Sequence, residues 1–312
     1  MNMKQIIWLC FLPVALFTMP ACKDTRMNYM VDDKVYLLNP GLNETTIFNW
    51  GDFTYNLYVI KSGKGQQGAT VKLNIDEVIM QKYNTEHHTQ YKLLPEDCYT
   101  VKVNSLSFNS SDYRQAFWVD FKADKIAELQ KNSTEAYVLP CQMQVEDNSI
   151  ETTGTENTIS IIVPTVKEPY LELNNPGLFS PGVTLTPASD DIMFIYSKVK
   201  TNYYNQWDLS YSLEIDAKIL EQYNDTANVK YQLLPEKAYE FDKSTWVIPA
   251  SKDDQYIKIQ LNKKGLISGN NYQFGKYAIP IRLASVSMHK INPQCSTMLY
   301  PVILEEKETD TK

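Results

Sequence analysis

Carboxylates that recur at a fixed spacing are the first residues of this sequence that could do chemistry. Asp76 and Glu96 return 140 residues later as Asp216 and Glu236. A glycosidase holds two carboxyl groups roughly 5–10 Å apart across a cleft. Each aspartate, however, stands where a helix N-cap belongs, and each glutamate follows a proline in a turn. Because these scaffold roles explain why both copies carry them, we expect none of the four to be catalytic.

The other reactive side chains form no recognisable site. The three histidines are His87, His88 and His289, and none has a cysteine or aspartate at a spacing typical of a zinc site or a catalytic triad. The glycine-rich segment 63–68 lacks the Lys-Ser/Thr ending of a phosphate loop and predicts a hairpin tip. The sequence therefore predicts no catalytic residue, no metal site and no cofactor, and we expect the protein not to be an enzyme.

Aromatic side chains are better candidates for a function, and that function is binding. Tyr203, Tyr204 and Trp207 occupy the place that the glycine-rich segment has in the first copy. Two or three aromatic rings on a loop tip are typical of a platform on which a sugar stacks. The alternative is that Trp207 packs against its own strand, because it is in phase with the apolar residues that follow it. The polar partners expected for the sugar are Asn205, Gln206 and Asp208.

Comparison of the two copies selects two further tryptophans for the glycan site. Trp118 aligns with Lys258, and an indole that takes the place of an ammonium group is expected on the surface. The alternative for Trp118 is packing at the domain junction or over a sheet face. Trp50 lies in a polar loop and is a further candidate for a glycan contact. Trp246 aligns with Leu106 on an apolar position, which predicts a core residue instead.

These side chains belong to a sequence that repeats itself once. Residues 71–100 and 211–240 match at twelve of thirty positions without a gap. A period of 140 residues is far longer than the roughly 20–50 residues of a solenoid unit, so it predicts two copies of one complete domain. We place the first domain at residues 34–165 and the second at residues 168–305.

Alternating apolar and polar residues predict that each copy is built of β-strands. Phe117, Val119 and Phe121 show this period of two. One short helix is predicted in each copy, over Glu77–Tyr83 and Ala217–Tyr223. The predicted fold class is therefore all-β, with two tandem immunoglobulin-like β-sandwich domains that each carry one short helix.

The cysteines do not predict a disulfide framework. Cys98 aligns with Ala238 and Cys141 aligns with Ile281, so each behaves as a small buried hydrophobic residue. A bridge between Cys98 and Cys141 is the alternative.

The N-terminus predicts secretion and anchoring. Residues 1–21 have a lysine at position 4 and the apolar run Ile6–Phe17, too short to span a membrane and typical of a signal peptide. The residues that end in Cys22 resemble a bacterial lipobox, which implies cleavage before Cys22 and lipidation of that cysteine. A plain secreted protein is the alternative. We expect a tether over residues 22–33, a charged tail over residues 306–312 and attachment to the outer membrane, facing the cell exterior.

The repeated motifs resemble a known family. An aspartate-led short helix, Tyr-Asn, Tyr-x-Leu-Leu-Pro-Glu-x-x-Tyr and a later Tyr-x-Leu/Ile-Pro strand occur in both copies. This signature resembles the Bacteroidetes domain of unknown function 1735, which is found at the front of surface endoglycosidases and in lipoproteins of glycan-utilisation loci. The resemblance implies an accessory role in glycan capture, with any catalysis supplied by a separate downstream module.

The charge balance of the sequence agrees with a glycan as the partner. The net charge of the 312 residues is −7, whereas nucleic-acid binding needs a basic face. We therefore expect a non-catalytic cell-surface lipoprotein that binds an oligo- or polysaccharide, alongside a glycan transporter complex. The alternative is a fimbrial or adhesin-type structural lipoprotein whose partner is another protein chain.

Overall fold

The computed structural model describes residues 30–146, 150–242 and 244–306. The predicted signal peptide, Cys22 and most of the predicted tether and tail lie outside the described residues. In the described part of the chain, no helix has the length and apolar character needed to cross a bilayer.

The chain divides into two compact units. The first contains the residues up to 46 together with 52–165, and the second contains 47–51 together with the residues from 166 onward. A short segment around Trp50 therefore belongs to the second unit, although it precedes most of the first unit in the sequence.

Strands of the first repeat carry most of its residues, as the period of two predicts. In chain order they are β1 (Lys34–Leu37), β2 (Gly41–Phe48), β3 (Phe53–Ser62), β4 (Ala69–Ile75), β5 (Lys92–Leu93), β6 (Tyr99–Val103), β7 (Ser105–Phe108), β8 (Arg114–Phe121), β9 (Tyr137–Val145), β10 (Glu151–Thr152) and β11 (Ile159–Lys167). Helices of this repeat span Glu77–His87 and Ala123–Lys131.

The first repeat is a β-sandwich of two sheets. One sheet has the order β10-β1-β3-β8-β6 and the other has the order β2-β11-β9-β4-β7. Successive main strands alternate between the sheets, and their inward side chains form the core between the layers. The glycine-rich segment 63–68 joins β3 to β4 in the other sheet. The prediction that it is a hairpin tip is therefore wrong.

The second repeat has the same topology. Its strands are β12 (Tyr170–Leu173), β13 (Gly177–Leu178), β14 (Val183–Leu185), β15 (Ile192–Thr201), β16 (Leu209–Ile215), β17 (Gln232–Leu233), β18 (Tyr239–Phe241), β19 (Trp246–Ile248), β20 (Asp254–Asn262), β21 (Ile267–Ser268), β22 (Asn271–Tyr272), β23 (Gly275–Val286), β24 (Lys290–Ile291) and β25 (Thr297–Leu304), with one helix at Ala217–Ala227. The sheet orders β18-β20-β15-β12-β24 and β13-β25-β23-β16-β19 reproduce those of the first repeat. The prediction of two tandem β-sandwiches is confirmed.

The 140-residue spacing also holds for single strand pairs. In the first repeat Asn56 lies opposite Trp118, and in the second Tyr196 lies opposite Lys258. Because side chains alternate between the two faces of a strand, an unbroken register keeps each residue and its counterpart on the same face. The alignment of the copies thus gives the inward or outward direction of a side chain in these strands.

The predicted core positions are buried in both repeats. Trp246 and Leu106 are buried, as are Cys98 and Cys141 with their counterparts in the second copy. The cysteines are free thiols, so the alternative of a Cys98–Cys141 bridge is not supported. Burial raises the pKa of Cys98 to about 11 and that of Cys141 to about 12.

Each repeated helix is held by the residues of its sequence motif. Asp76 accepts a hydrogen bond from the amide of Val78 at 2.9 Å, as an N-cap should. Asn84 donates to the carbonyl of Tyr91 at 2.9 Å and accepts from its amide at 3.0 Å, which secures the chain after the helix. Asp216 and Asn224 make the same contacts in the second repeat. Both helices are four residues longer than predicted, and the first repeat has a further helix, Ala123–Lys131, that the sequence did not predict.

Asp33, assigned to the tether by the sequence, is instead part of the first unit. Its buried carboxylate accepts hydrogen bonds from the amides of Gly65, Gln66 and Gln67 at 2.6, 2.7 and 2.8 Å. Burial opposes ionisation, but these three amides and the nearby Lys61 outweigh it and hold the pKa of Asp33 below its ordinary value. The end of the predicted tether therefore fixes the glycine-rich loop.

Replacing Asp33 with alanine is expected to lower the free energy of unfolding of the first unit by about 3 kcal/mol, because three backbone amides lose their charged acceptor. Asp32→Ala, at an exposed ion pair, should change it by less than about 1 kcal/mol. Since the folded-state pKa is depressed, the contribution of Asp33 is present above about pH 4 and is lost as the pH falls through the folded-state pKa. Urea unfolding of both variants at several pH values measures this, and equal losses would contradict the role of Asp33.

Candidate functional site

Four rings of the second unit pack into one aromatic cluster, formed by Trp50, Tyr203, Trp207 and His289. The ring of Trp50 lies 5.2 Å from that of Tyr203 and 5.5 Å from that of Trp207, both nearly perpendicular to it. The imidazole of His289 lies 5.6, 5.1 and 5.3 Å from the rings of Trp50, Tyr203 and Trp207. Edge-to-face contacts at these distances are favourable. Rings from two segments far apart in the sequence, one with Trp50 and one with Tyr203 and Trp207, thus surround the imidazole of His289.

Local backbone contacts position Trp50. The preceding residue, Asn49, donates its amide to the carbonyl of Lys167 at 2.9 Å and its side-chain amide to Glu168 at 2.6 Å. Phe48 stacks against the indole of Trp50 with ring centroids 5.0 Å apart. The tryptophan is therefore held against the second unit by a short, hydrogen-bonded segment.

Asn205 positions Trp207. Its side chain is completely buried, donates to the carbonyls of Trp207 and Pro249 at 2.7 and 3.1 Å, and accepts from the amide of Trp207 at 3.2 Å. The amide of Asn205 donates to Asp253 at 2.9 Å. All polar groups of this side chain are used inside the loop. The expectation that Asn205 contacts a sugar is therefore wrong, and its role is to hold the backbone of Trp207.

An Asn205→Ala variant should unfold about 2–3 kcal/mol more easily than the wild type, because buried carbonyl and amide groups lose their partners. The loop that carries Trp207 should also become more mobile. Gln206→Ala, at the neighbouring exposed position, is the matched control and should stay within about 0.5 kcal/mol. Thermal unfolding followed by tryptophan fluorescence separates the two, and an unchanged midpoint for Asn205→Ala would contradict this assignment.

A surface cleft opens beside the cluster. It has a volume of 430 Å³ and is lined by Trp50, Gln206, Trp207, Met288 and His289. Trp50 is 41% exposed and Trp207 is half-buried. Aromatic walls with a few precisely placed polar groups are typical of small-molecule binding sites.

The structure brings three of the predicted glycan contacts together and leaves two apart. Trp50, Tyr203 and Trp207 share the cluster, whereas Trp118 is 49% exposed on the first unit and takes no part in it. Tyr204 is 61% exposed but makes no ring contact with the cluster among the described residues. Tyr203 is only 5% exposed, so its prediction as a direct contact is corrected. Its ring packs against Trp50 and His289. The alternative that Trp207 packs against its own domain also holds in part, because it touches the core.

Sequence reasoning missed His289 and Met288 as cleft residues. A lone histidine in a turn gave no motif. The backbone of His289 is unusual, with a φ of 67°. A residue other than glycine in this left-handed region is uncommon, although histidine is among the types that adopt it more often.

Two polar atoms of the cluster have no partner. The hydroxyl of Tyr203 and Nε2 of His289 are both buried without a hydrogen bond among the described residues. Burial raises the pKa of Tyr203 to about 12 and lowers the pKa of His289 below its ordinary value. Unpaired buried polar atoms are rare enough to require an explanation, and of these two residues His289 lines the open cleft.

Fold and cleft together define a tandem β-sandwich protein with an aromatic surface site. A family model described as a "-like, N-terminal domain" matches residues 31–150 and again residues 170–290. Because the two matches cover more than half of the sequence, the chain belongs to this N-terminal-domain family and contains its domain twice. A search of curated proteins gives no match.

Three solved structures illustrate the similarity of fold. CBD12 from CALX1.2 gives a TM-score of 0.38 at 10% identity, over 87% of this chain and all of that one. EndoBT-3987 from Bacteroides thetaiotamicron, with its Man5GlcNAc product, gives 0.33 at 18% identity, over 43% of this chain and 31% of that one. A putative carbohydrate binding protein from Bacteroides ovatus gives 0.33 at 15% identity, over 86% of this chain and 67% of that one.

Proposed function

We propose that the protein is a non-catalytic glycan-binding protein and that the aromatic cleft of the second unit is its binding site. One observation carries this proposal: Trp50 and Trp207 meet at 5.5 Å on the wall of an open cleft. Exposed indoles offer flat apolar faces on which the C–H faces of a sugar ring can stack, and Gln206 and His289 supply hydrogen-bonding groups beside them.

The magnitude of stacking explains why two tryptophans matter. A sugar face that removes ~100 Å² of apolar surface from water contributes about 2.5 kcal/mol at roughly 25 cal/mol per Å². Association costs at least ~4 kcal/mol in lost translational and rotational freedom. One ring is therefore insufficient, whereas two rings exceed the cost by about 1 kcal/mol before hydrogen bonds are added. The expected affinity of one site is weak.

Weak binding suits a protein that is displayed in many copies. We propose that Cys22 carries a lipid anchor and holds the protein on the outer membrane, facing the exterior. Many anchored copies that meet a polymer with repeated sites gain avidity without any new contact. A glycan transporter complex and hydrolases are the partners that this arrangement implies.

The character of the cleft supports a non-catalytic role. None of its lining residues is an aspartate or glutamate, whereas glycoside hydrolysis ordinarily uses two carboxyl groups. Among the residues that the structure describes, no group of three His, Cys, Asp or Glu side chains could hold a metal ion. Binding without turnover is the function that these residues can support.

Affinity gel electrophoresis of the purified protein in polysaccharide-containing gels tests the proposal. The panel should include mannan, xyloglucan, laminarin, polygalacturonate, alginate and chondroitin sulfate. We expect at least one polymer to retard the protein, with no reducing sugar released after prolonged incubation. Retardation by none of the polymers would refute glycan binding, and sugar release would refute the non-catalytic assignment.

A further inference from the structure

The residues that line the aromatic cleft indicate which class of sugar it binds. We propose that it takes an uncharged sugar residue and that it does so only while His289 is neutral. This inference rests on the proposed function and adds the class of sugar and a dependence on pH.

The walls of the cleft carry no formal charge when His289 is neutral. Its lining consists of indole, thioether, carboxamide and imidazole groups. A carboxylate or sulfate group seated there would lose hydration without gaining a counter-ion, which is strongly unfavourable. Neutral sugar hydroxyl groups lose less hydration free energy and can form hydrogen bonds with the carboxamide of Gln206.

Charged groups on the segments that form the cleft are already engaged. Glu168 bonds to Asn49 and to Lys290, the latter at 2.6 Å. Asp208 accepts from the amide of Ala250 at 2.8 Å, and Asp253 accepts from the amide of Asn205. Burial is the cause of the shift at His289, with no contribution from a charged neighbour. Among the described residues that line the cleft, none is a lysine or arginine that could receive an acidic sugar.

The imidazole of His289 provides a polar part of recognition. Its Nε2 has no hydrogen-bond partner among the described residues, and His289 lines the cleft. A sugar hydroxyl in the cleft can donate to this nitrogen. Protonation of His289 would remove its acceptor and place a cation inside an enclosure that already disfavours the charge.

The dependence on pH has a definite sign. A ligand that covers the cleft shields the imidazole further, so it binds the neutral form more tightly than the charged form. Affinity should be constant above the pKa of His289, which lies below the ordinary value of 6.5, and should fall by up to tenfold per pH unit below it.

The first experiment compares neutral and acidic polymers in the same gels. We expect retardation by at least one of mannan, xyloglucan and laminarin, changed less than twofold between 50 and 500 mM NaCl. Polygalacturonate, alginate and chondroitin sulfate should bind at least tenfold more weakly. Preference for an acidic polymer, or binding lost at high salt, would overturn the inference while leaving glycan binding intact. Retardation by no polymer would overturn both.

The second experiment uses a matched pair of histidine variants. His289→Asn removes the imidazole at a left-handed position that asparagine tolerates, and His88→Asn does the same at φ 54° on the first unit. Wild type and His88→Asn should lose affinity for the retarding polymer as the pH falls below the pKa of His289, whereas His289→Asn should bind weakly and without that dependence. Because the chain has three histidines, NMR titration can follow His289 directly. An unchanged pH profile in His289→Asn, or a His289 that titrates at or above 6.5, would overturn the role of this residue.

Discussion

Replacing Trp50 and Trp207 together with alanine is expected to abolish retardation by any polysaccharide that retards the wild type. Each stacked indole contributes about 2.5 kcal/mol on the scale used above, so a single replacement should weaken binding by roughly 60-fold. When both indoles are removed, the binding free energy that remains is smaller than the cost of association. Isothermal titration with an oligosaccharide of the retarding polymer measures the single variants, and affinity gels measure the double variant.

The matched control for this prediction is Trp118→Ala. Trp118 is exposed like Trp50 but belongs to the first unit and makes no ring contact with the aromatic cluster among the described residues. If the cleft is the site, this variant should retain wild-type affinity. Because Trp207 also touches the core, a Trp207→Phe variant and a thermal unfolding curve separate loss of stacking from loss of folding. Equal retardation of wild type and double variant would exclude the cleft, and selective loss in Trp118→Ala would move the site to the first unit.

Trp246→Ala should produce the largest loss of stability, about 4 kcal/mol of unfolding free energy. This indole is 2% exposed, its ring centroid lies 6.0 Å from that of Tyr211 and 5.8 Å from that of Phe241, and Nε1 donates to Asp242 at 3.3 Å. Removal leaves a large cavity in the second core. Urea unfolding followed by circular dichroism measures the change.

Comparison of the repeats supplies two controls for Trp246. Trp246→Leu introduces the residue found at the equivalent position of the first repeat, Leu106, and should lose less than Trp246→Ala because part of the volume is retained. Trp118→Ala should change the unfolding free energy by less than about 1 kcal/mol, since that indole is on the surface. A larger loss at Trp118 than at Trp246 would show that the comparison of repeats does not report burial.

Much of the fold could be predicted from the sequence because the chain is duplicated. A side chain and its counterpart 140 residues away share one environment, so Lys258 indicated that Trp118 faces outward and Leu106 indicated that Trp246 faces inward. Asp76 and Asp216 were predicted as helix caps for the same reason, and both cap a helix. The extra helix Ala123–Lys131 was missed because the second repeat offers no matching helix at that place.

The candidate site was predicted less well, for a physical reason. Trp50 and Trp207 were both candidates, but nothing in their spacing indicates that their rings meet, since the contact joins residues 157 positions apart (207 − 50) in the printed sequence. Burial of Tyr203 and Asn205 could not be inferred either, because neither has a counterpart of its own type in the glycine-rich segment. His289 gave no signal, and it matters through the three rings around it.

The sequence alone determined that the chain consists of two copies of one β-sandwich and which strand residues point into the cores, because alternation and duplication are properties of the linear order of residues. Tertiary structure alone decided that Trp50, Trp207 and His289 line one cleft and that the buried Tyr203 packs against Trp50 and His289. Loop packing of this kind depends on buried hydrogen bonds, such as those of Asn205, between segments that are distant in the sequence. Such contacts form only when the chain has folded.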